Sequence, residues 1–491
     1  MQKISVKTIY LILVISIGLV GLGVGSTFAM FTASSKIDNP ISFTAGIFGE
    51  SDVIETVEVT VPAGETKATN LHVTNSTNSN LNYVMWYIDE GLDIELGSKR
   101  TDSGTYQTTI DAGEEHKYEV SIRNNSSSSV TVVIGVSSGT GSVTLSSDMK
   151  MVPQSELKLK PTLASVITNL YNNSTKTAVP NNSITYQYDT TNNLMKDTAG
   201  NIRYYGASPN NYVYFNCDSY PSTNCELWRI IGVFDGKIKL IRNKTIDLYS
   251  WDNKNKSTGA ETAYGKNDWT TARLMKLLNP STYYTTDAND NGKGQSLYWN
   301  ATSGACYSGQ NNATISCNFT STGIKDTTRN MIAETTWNLV GWNTSDIYSN
   351  VMYEKERGTT TVSNPSDGIT RATTWTGKIA LPYPSDYGYA TDLSKCSQTL
   401  FNYNSGTDSY ACRSNDWMYS IITNSGINDG WLLTPYSGYA YMAFGVHPSG
   451  YVNGYGVYTA FMVAPVLYLG SDQDIVSGDG SQSNPYQLAN S

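Results

Sequence analysis

Charged residues are scarce in this 491-residue chain: Asp, Glu, Lys and Arg make up 15% of it, against about 25% in an average soluble protein. What charge there is leans acidic. The 33 Lys and Arg against 42 Asp and Glu give a formal charge of -9, with no basic run; such a chain repels phosphate backbones, which argues against nucleic acid as a partner. The 3 His are few for a protein built around zinc or proton shuttling. No Cys occurs before Cys217, so residues 50–150 must be held by a core alone. Apolar runs are short as well. The longest, Ile9 to Val24, is sixteen residues broken by Ser16, Gly18, Gly21 and Gly23, below the ~20 that cross a bilayer comfortably.

Tyr, Asn, Ser, Thr and Gly fill the gap, with 35 Tyr against 10 Phe. That mixture favours short strands, many turns and a polar surface studded with rings. The length calls for two or three domains.

Lys3 and Lys7 ahead of the apolar run, and Ser26-Thr27-Phe28-Ala29 after it, describe a signal peptide over residues 1–29. Cleavage after Ala29 is expected, with a retained anchor as the alternative. Without Lys3 and Lys7 the formal charge becomes more negative still. The stretch Gly25-Ser26-Thr27-Phe28-Ala29-Met30-Phe31-Thr32, followed by Ile41-Ser42-Phe43-Thr44-Ala45-Gly46, resembles the export segment of TasA-type biofilm fibre proteins and camelysin. The resemblance covers residues 1 to about 48. It implies a Gram-positive bacterium, export by the general secretory route and signal peptidase as a transient partner, with membrane contact only through this segment. Residues 471–491 are polar, with no hydrophobic stop or basic tail, and sorting to the wall through such a tail is not expected.

Residues 30–152 read as an all-β sandwich, Ig-like in class. Val53 to Val61 alternates with period two, and His116–Ile122 and Val130–Val136 follow in the same character. An internal echo runs through them. Ala63-Gly64-Glu65 leads twelve residues on to Asn75, with Leu81 opening the next strand; Ala112-Gly113-Glu114 leads to Asn124 and then Val130, forty-nine residues later throughout. Two such units suggest two packed sheets. This body serves either as a spacer or as a fibre-forming unit, in which an extended N-terminal segment adds to a sheet edge.

Residues 153–199 are expected as a linker with a short helix (Thr162 to Tyr171) and a turn at Pro180-Asn181-Asn182. Residues 200–491 form the second body, α+β in class. Leu227 to Phe234, Asp235-Gly236 and Lys237 to Ile241 make a hairpin, since Asp-Gly tolerates the positive φ of a tight turn. Asn267-Asp268-Trp269 is expected to cap a helix from Thr270 to Leu278, ended by Asn279-Pro280. All six Cys lie in this body and permit fifteen connectivities. Sequence neighbours stand close while the pairs stand far apart, so in an oxidising compartment Cys217–Cys225, Cys306–Cys317 and Cys396–Cys412 are expected.

Several motifs of this body resemble a domain of unknown function found in Gram-positive surface proteins. They are Arg203 to Asn216, Leu227 to Gly232, Thr376 to Leu381, Tyr383 to Ala390, Trp431 to Tyr436 and Val463 to Leu469; at Ala464 that family usually carries Arg. Coverage is about 200–488. The resemblance implies a C-type-lectin-like or formylglycine-generating-enzyme-like fold and brings no established catalytic residues. A copper-binding Cys pair of the oxidase kind is the enzymatic alternative, but no Cys-x-x-Cys or nearby activating His supports it.

The Tyr-rich stretch from Ser437 to Met462 carries the leading functional expectation. Tyr439, Tyr441, Phe444, His447, Tyr451, Asn453, Tyr455 and Tyr458 alternate there with Gly, Ser and Ala. Tyr gives large, rigid contact area at low entropy, and Ser, Gly and Asn adapt between. This is the composition of a recognition surface for an extracellular protein or glycan; ordinary hairpins with half-buried Tyr would read the same way. Other signals are weaker. Asp287 to Gly292 copies half of a calcium loop, but Tyr298 stands where the bidentate Glu belongs. Asp472, Asp474 and Asp479 could hold calcium or simply decorate a loop, and no other cofactor is expected. Ser385-Asp386 has no His in a triad pattern, so no enzyme activity is expected. The expectation is a secreted or cell-surface adhesion protein, with a matrix or fibre subunit as the second reading.

Overall fold

In a computed structural model of the chain, the described residues are 41–45, 53–75, 77, 79–88, 94–96, 108–111, 115–124, 126–139, 150–151, 158–159, 162–254, 264–284, 295–358, 367–403, 408–470 and 473–489. The expected signal peptide, the calcium-like stretch Asp287–Gly292 and Asp472 lie outside them. Two compact units result, Met1–Lys160 and Pro161–Ser491.

The first unit is built of strands β1 (Ile41–Ala45), β2 (Val53–Val61), β3 (Thr66–Asn75), β4 (Leu81–Ile88), β5 (Ile94–Leu96), β6 (Thr108–Ile110), β7 (Glu115–Asn124), β8 (Val130–Gly139), β9 (Lys150–Met151) and β10 (Lys158–Leu159). One sheet runs β1-β3-β7-β10 with β5 also on β7, and the other runs β2-β8-β4-β6 with β9 on β4. The sequence echo is a structural two-fold. Strand β2 pairs with β8, placing Val61 opposite Val130, and β6 pairs with β4, placing Ile110 opposite Leu81. Leu81 plus forty-nine is Val130 and Ile110 minus forty-nine is Val61, so the two pairs are related by exchanging the repeats, and each repeat lends its opening strand to the other.

Two buried amides lock that exchange. Asn75 donates to the carbonyls of Ser79 (2.8 Å), Ile110 and Asp111 (both 3.1 Å), while its Oδ1 accepts from Thr77 N and Oγ1. Asn124 repeats the device on the other side. It donates to Ser128 O (2.7 Å) and Val61 O (2.9 Å) and accepts from Ser126 N and Oγ. Both Asn side chains are fully buried. Each therefore satisfies the loop that follows it and the end of a strand in the opposite sheet, groups that would otherwise be buried without partners. Around them Val61, Val73, Trp86, Ile110, Val132 and Ile134 form the core.

In the second unit the stretch expected as a linker is part of the fold. Helix Leu163–Asn173 is capped by Thr162, and strands Thr177–Asn181, Ile184–Asp189 and Leu194–Lys196 begin an eleven-stranded sheet. Strand Tyr212–Phe215 pairs in parallel with Tyr486–Leu488, and Leu163 N donates to Gln473 O, so the two ends of the unit meet. The Asp-Gly hairpin joins Glu226–Phe234 to Lys237–Arg242, with φ of 48° at Asp235 and 73° at Gly236. A second sheet holds Leu248–Tyr249, Phe461–Met462, Gly430–Pro435, Met442–Val446 and Val452–Gly456. The expected disulfides are all present, Cys217–Cys225, Cys306–Cys317 and Cys396–Cys412, and no cysteine is left free. They point to an oxidising compartment. Ala464 is fully buried. Among the described residues no helix is long and apolar enough to cross a membrane.

At the centre of this unit, ion pairs are shut off from water. Asp386 binds Lys239 Nζ at 2.5 Å through one oxygen and Arg203 at 2.9 Å through the other, and Arg203 Nε meets Asp197 at 2.6 Å. The Arg203 guanidinium lies 4.5 Å from the Phe234 ring centre and 4.7 Å from that of Tyr389. Burial alone would raise the Asp386 carboxyl. The Lys239 and Arg203 charges, with hydrogen bonds from Lys239 and Tyr383 N, instead hold it at about 2. Ser385 is tied up beside it, donating Oγ and N to the buried Glu356.

Two outcomes follow for stability. Asn75→Ala and Asn124→Ala should each destabilise the first unit by roughly 1–3 kcal/mol, because strand-end carbonyls lose their donor; urea titration of each variant checks this. The folded-state pKa of Asp386 lies below its unfolded value, so its contribution is complete above about pH 4 and lost as pH falls toward about 2. Asp386→Asn leaves Lys239 buried without its counter-charge and should lose roughly 3–5 kcal/mol at neutral pH. It should also lose part of the acid limb seen when unfolding is measured from pH 5 to pH 2.

Candidate functional site

The hairpin Met442–Val446/Val452–Gly456 carries most of the expected contact residues. The structure divides them. Phe444 is fully buried and packs 5.3 Å from the Tyr436 ring, so it belongs to the core and not to a contact surface. Its register partner is Gly454, on the covered face of the hairpin. Tyr455 is half-buried with its ring edge-on to Phe461 at 5.0 Å, which in turn packs on Trp431 at 4.5 Å. It leans into the core too. Asn453 is half-buried, and its Oδ1 accepts from Gly454 N. At the hairpin turn His447 stacks on Tyr451 at 4.5 Å and 17°, and Phe401, 42% exposed, meets Tyr451 at 6.0 Å.

Tyr439, Tyr441 and Tyr458 gather at the other end, joined by two rings that the sequence pattern did not single out. Tyr436 lies 6.1 Å from Tyr439, Tyr439 5.9 Å from Tyr441, Tyr441 5.8 Å from Tyr264, and Tyr264 5.2 Å from Tyr458. Tyr439 is 47% and Tyr264 44% exposed, while Tyr436, Tyr441 and Tyr458 are half-buried. The five rings make a continuous ledge. Glycine seats part of it: a Cβ on Gly454 would stand 2.4 Å from Tyr436 Cδ2, and one on Gly456 2.5 Å from Tyr458 Cε1. Only residues without side chains let those rings lie against the strand.

The loop that holds Tyr436, Tyr439 and Tyr441 is pinned from beneath. Asn267, fully buried, donates its side-chain amide toward the carbonyls of Tyr436 (3.1 Å), Tyr439 (2.9 Å) and Met442 (2.9 Å), and its N–H to Ala440 O (2.8 Å). An amide has two N–H groups, so one is shared among the three carbonyls. Arg371 completes the clamp. It donates to Asn267 Oδ1 (3.1 Å) and Ala440 O (3.3 Å) and pairs with Asp367 (2.7 Å), its own side chain 1% exposed. This corrects the expected cap. Asp268 makes an Asx turn to Thr270, the helix runs only Arg273–Leu278, and Ala272 precedes it without a side-chain cap. Asn267 is committed to the loop instead.

Other candidates are placed as follows. Asp479 is exposed and accepts from Ser481 N, and Asp474 forms a β-bridge with Thr162. Among the described residues no group of three His, Cys, Asp or Glu side chains is placed to hold a metal.

Asn267→Asp replaces two donors by acceptors facing three carbonyls. Local opening of the loop should become easier by on the order of 1–3 kcal/mol. Hydrogen exchange should show it as faster amide exchange within Tyr436–Met442, with Glu226–Phe234 unchanged. No protein-family model, curated protein or solved structure matches the chain.

Proposed function

We propose that this is a secreted or cell-surface recognition and adhesion protein, whose second unit is a C-type-lectin-like head and whose first is the spacer that carries it. Export by the secretory route belongs to the same proposal and rests on the N-terminal segment. The observation that carries the reading is the ledge of Tyr436, Tyr439, Tyr441, Tyr264 and Tyr458, partly exposed and in unbroken ring contact. Exposed rings such as Tyr264 and Tyr439 contribute little to folding. They are the residue type that dominates binding surfaces, because a rigid ring buries much area for little lost freedom. The three disulfides and the clamp on the loop supply the rigidity that such a surface needs.

A second reading is a structural subunit of an extracellular matrix. The observation in its favour is β1, which adds in parallel to the edge of β3 with Ile41 opposite Leu71 and Ala45 opposite Asn75. A strand supplied from outside the repeat could come from a neighbouring molecule. Regular filaments of the purified protein under the electron microscope would favour this reading.

For adhesion the test is a pair of variants of the full chain. Tyr264→Ala/Tyr439→Ala/Tyr441→Ala should abolish binding of labelled protein to bacterial or host cell surfaces while shifting the melting temperature little. Phe444→Ala should lose roughly 3–5 kcal/mol of stability. Equal loss of stability in both would assign the tyrosines to the core and end the adhesion reading.

A further inference from the structure

We propose that the tyrosine ledge binds a neutral polysaccharide by stacking, without a metal ion; this rests on the recognition reading and narrows it to a ligand class. The first argument is composition. The ledge is tyrosine throughout, and the exposed large aliphatic side chains of the described residues, Ile315, Ile427 and Val476, stand on other segments. A protein interface core mixes aliphatic groups, Met and Arg with its aromatics. A pyranose instead offers flat patches of C–H groups, which the electron-rich face of a phenol ring attracts, and a rim of hydroxyls that phenol oxygens can meet.

The second argument is charge. Arg371 is paired with Asp367 and Lys266 with Asp268 at 3.7 Å, so these two cations near the ledge are already balanced. The chain as a whole carries -9. Among the described residues an acidic polymer would meet no free cluster of cations, and the chain's net charge would repel it; stacked nucleic-acid bases would bring their phosphates with them. Nor do the nearby carboxylates converge on a cation: Asp367 holds Arg371, and Asp268 holds the Thr270 turn.

Spacing and rigidity form the third argument. Neighbouring ring centres stand 5.2 to 6.1 Å apart, a pitch close to the length of one sugar unit, and their planes turn by 25° to 51° from one ring to the next, so the ledge suits a chain that twists from sugar to sugar. A shallow platform gains affinity only if it loses little freedom on binding. Here Gly454 and Gly456 seat Tyr436 and Tyr458, and Asn267 with Arg371 fixes the backbone between them.

The test is native electrophoresis of the full chain through gels containing mixed-linkage β-glucan, xylan or hydroxyethyl cellulose, with alginate as the acidic control. At least one neutral polymer should retard the protein, equally in high salt and in EDTA. Tyr439→Ala/Tyr441→Ala should weaken that retardation by roughly tenfold or more, and so should Tyr264→Ala/Tyr458→Ala, which leaves the loop intact. Retardation by alginate alone, or by any polymer only when calcium is present, overturns the proposal. If no neutral polymer retards a protein whose cell binding still depends on Tyr264, Tyr439 and Tyr441, the ligand class is wrong and the recognition reading survives. If those tyrosines are also irrelevant to cell binding, both fall.

Discussion

A carboxylate held away from water organises the second unit. Asp386 is ionised in the interior because two cations reach it from separate strands, Arg203 from Ile202–Tyr204 and Lys239 from Lys237–Arg242. Desolvating such groups is expensive, and their mutual attraction recovers it only when geometry and extra hydrogen bonds are in place. The main sheet must therefore close correctly around Asp386, or a bare charge is left in the core. Asp386 stands in helix Pro384–Ala390, and that helix touches both the strand that runs into Tyr436 and the far turn of the hairpin. Pro382 O, just ahead of it, accepts from Leu433 N in the strand leading to Tyr436; within it, Tyr387 Oη donates to Gly450 O at the hairpin turn. Core electrostatics and surface geometry are thus joined by one short helix.

The first unit solves a different problem, holding a body without cysteines. Its answer is repetition. Each repeat passes its opening strand to the other, and one buried Asn per repeat closes the exchange, Asn75 onto Ile110 O and Asn124 onto Val61 O. Neither repeat can complete its sheet alone. That couples the two halves into one cooperative object, and local hydrogen bonding to Thr77 and Ser126 keeps each amide aimed.

Local features were legible in the sequence. The Asp235-Gly236 hairpin, the cysteine pairs and the spacing of Asn75 and Asn124 depend on residues near one another, or on a pattern that repeats itself. The burial of those two Asn was not, since an Asn in a Ser-rich turn reads as a surface residue until its partner carbonyls are known. Three of the five ledge rings were visible. Tyr439, Tyr441 and Tyr458 fall in the Tyr-rich block, but Tyr264 joins them from far upstream, where nothing in its neighbours marks it. Phe444 was misplaced for a related reason: alternation shows that a strand has two faces, not which one another segment covers. Asn267 carried a helix-cap signature, yet tertiary hydrogen bonds to three distant carbonyls outweigh a local cap when the residue is fully buried.

Both units use side-chain amides where another fold would use apolar packing, and the composition explains why. With few charged groups and many Ser, Asn, Gly and Tyr, loops are long in backbone and poor in side chains that could fill space. Their carbonyls turn inward and must be met by donors. Asn is the small side chain with two N–H groups, and Asn75, Asn124 and Asn267 each gather two or three such carbonyls. The consequence for the tyrosine ledge is specific. Fixing the Tyr436–Met442 loop through its backbone holds Tyr439 out at 47% exposure, while Tyr436 and Tyr441 also pack against the core. Rigidity therefore comes from two sources, backbone hydrogen bonds to Asn267 beneath the loop and the seating of Tyr436 and Tyr458 on Gly454 and Gly456.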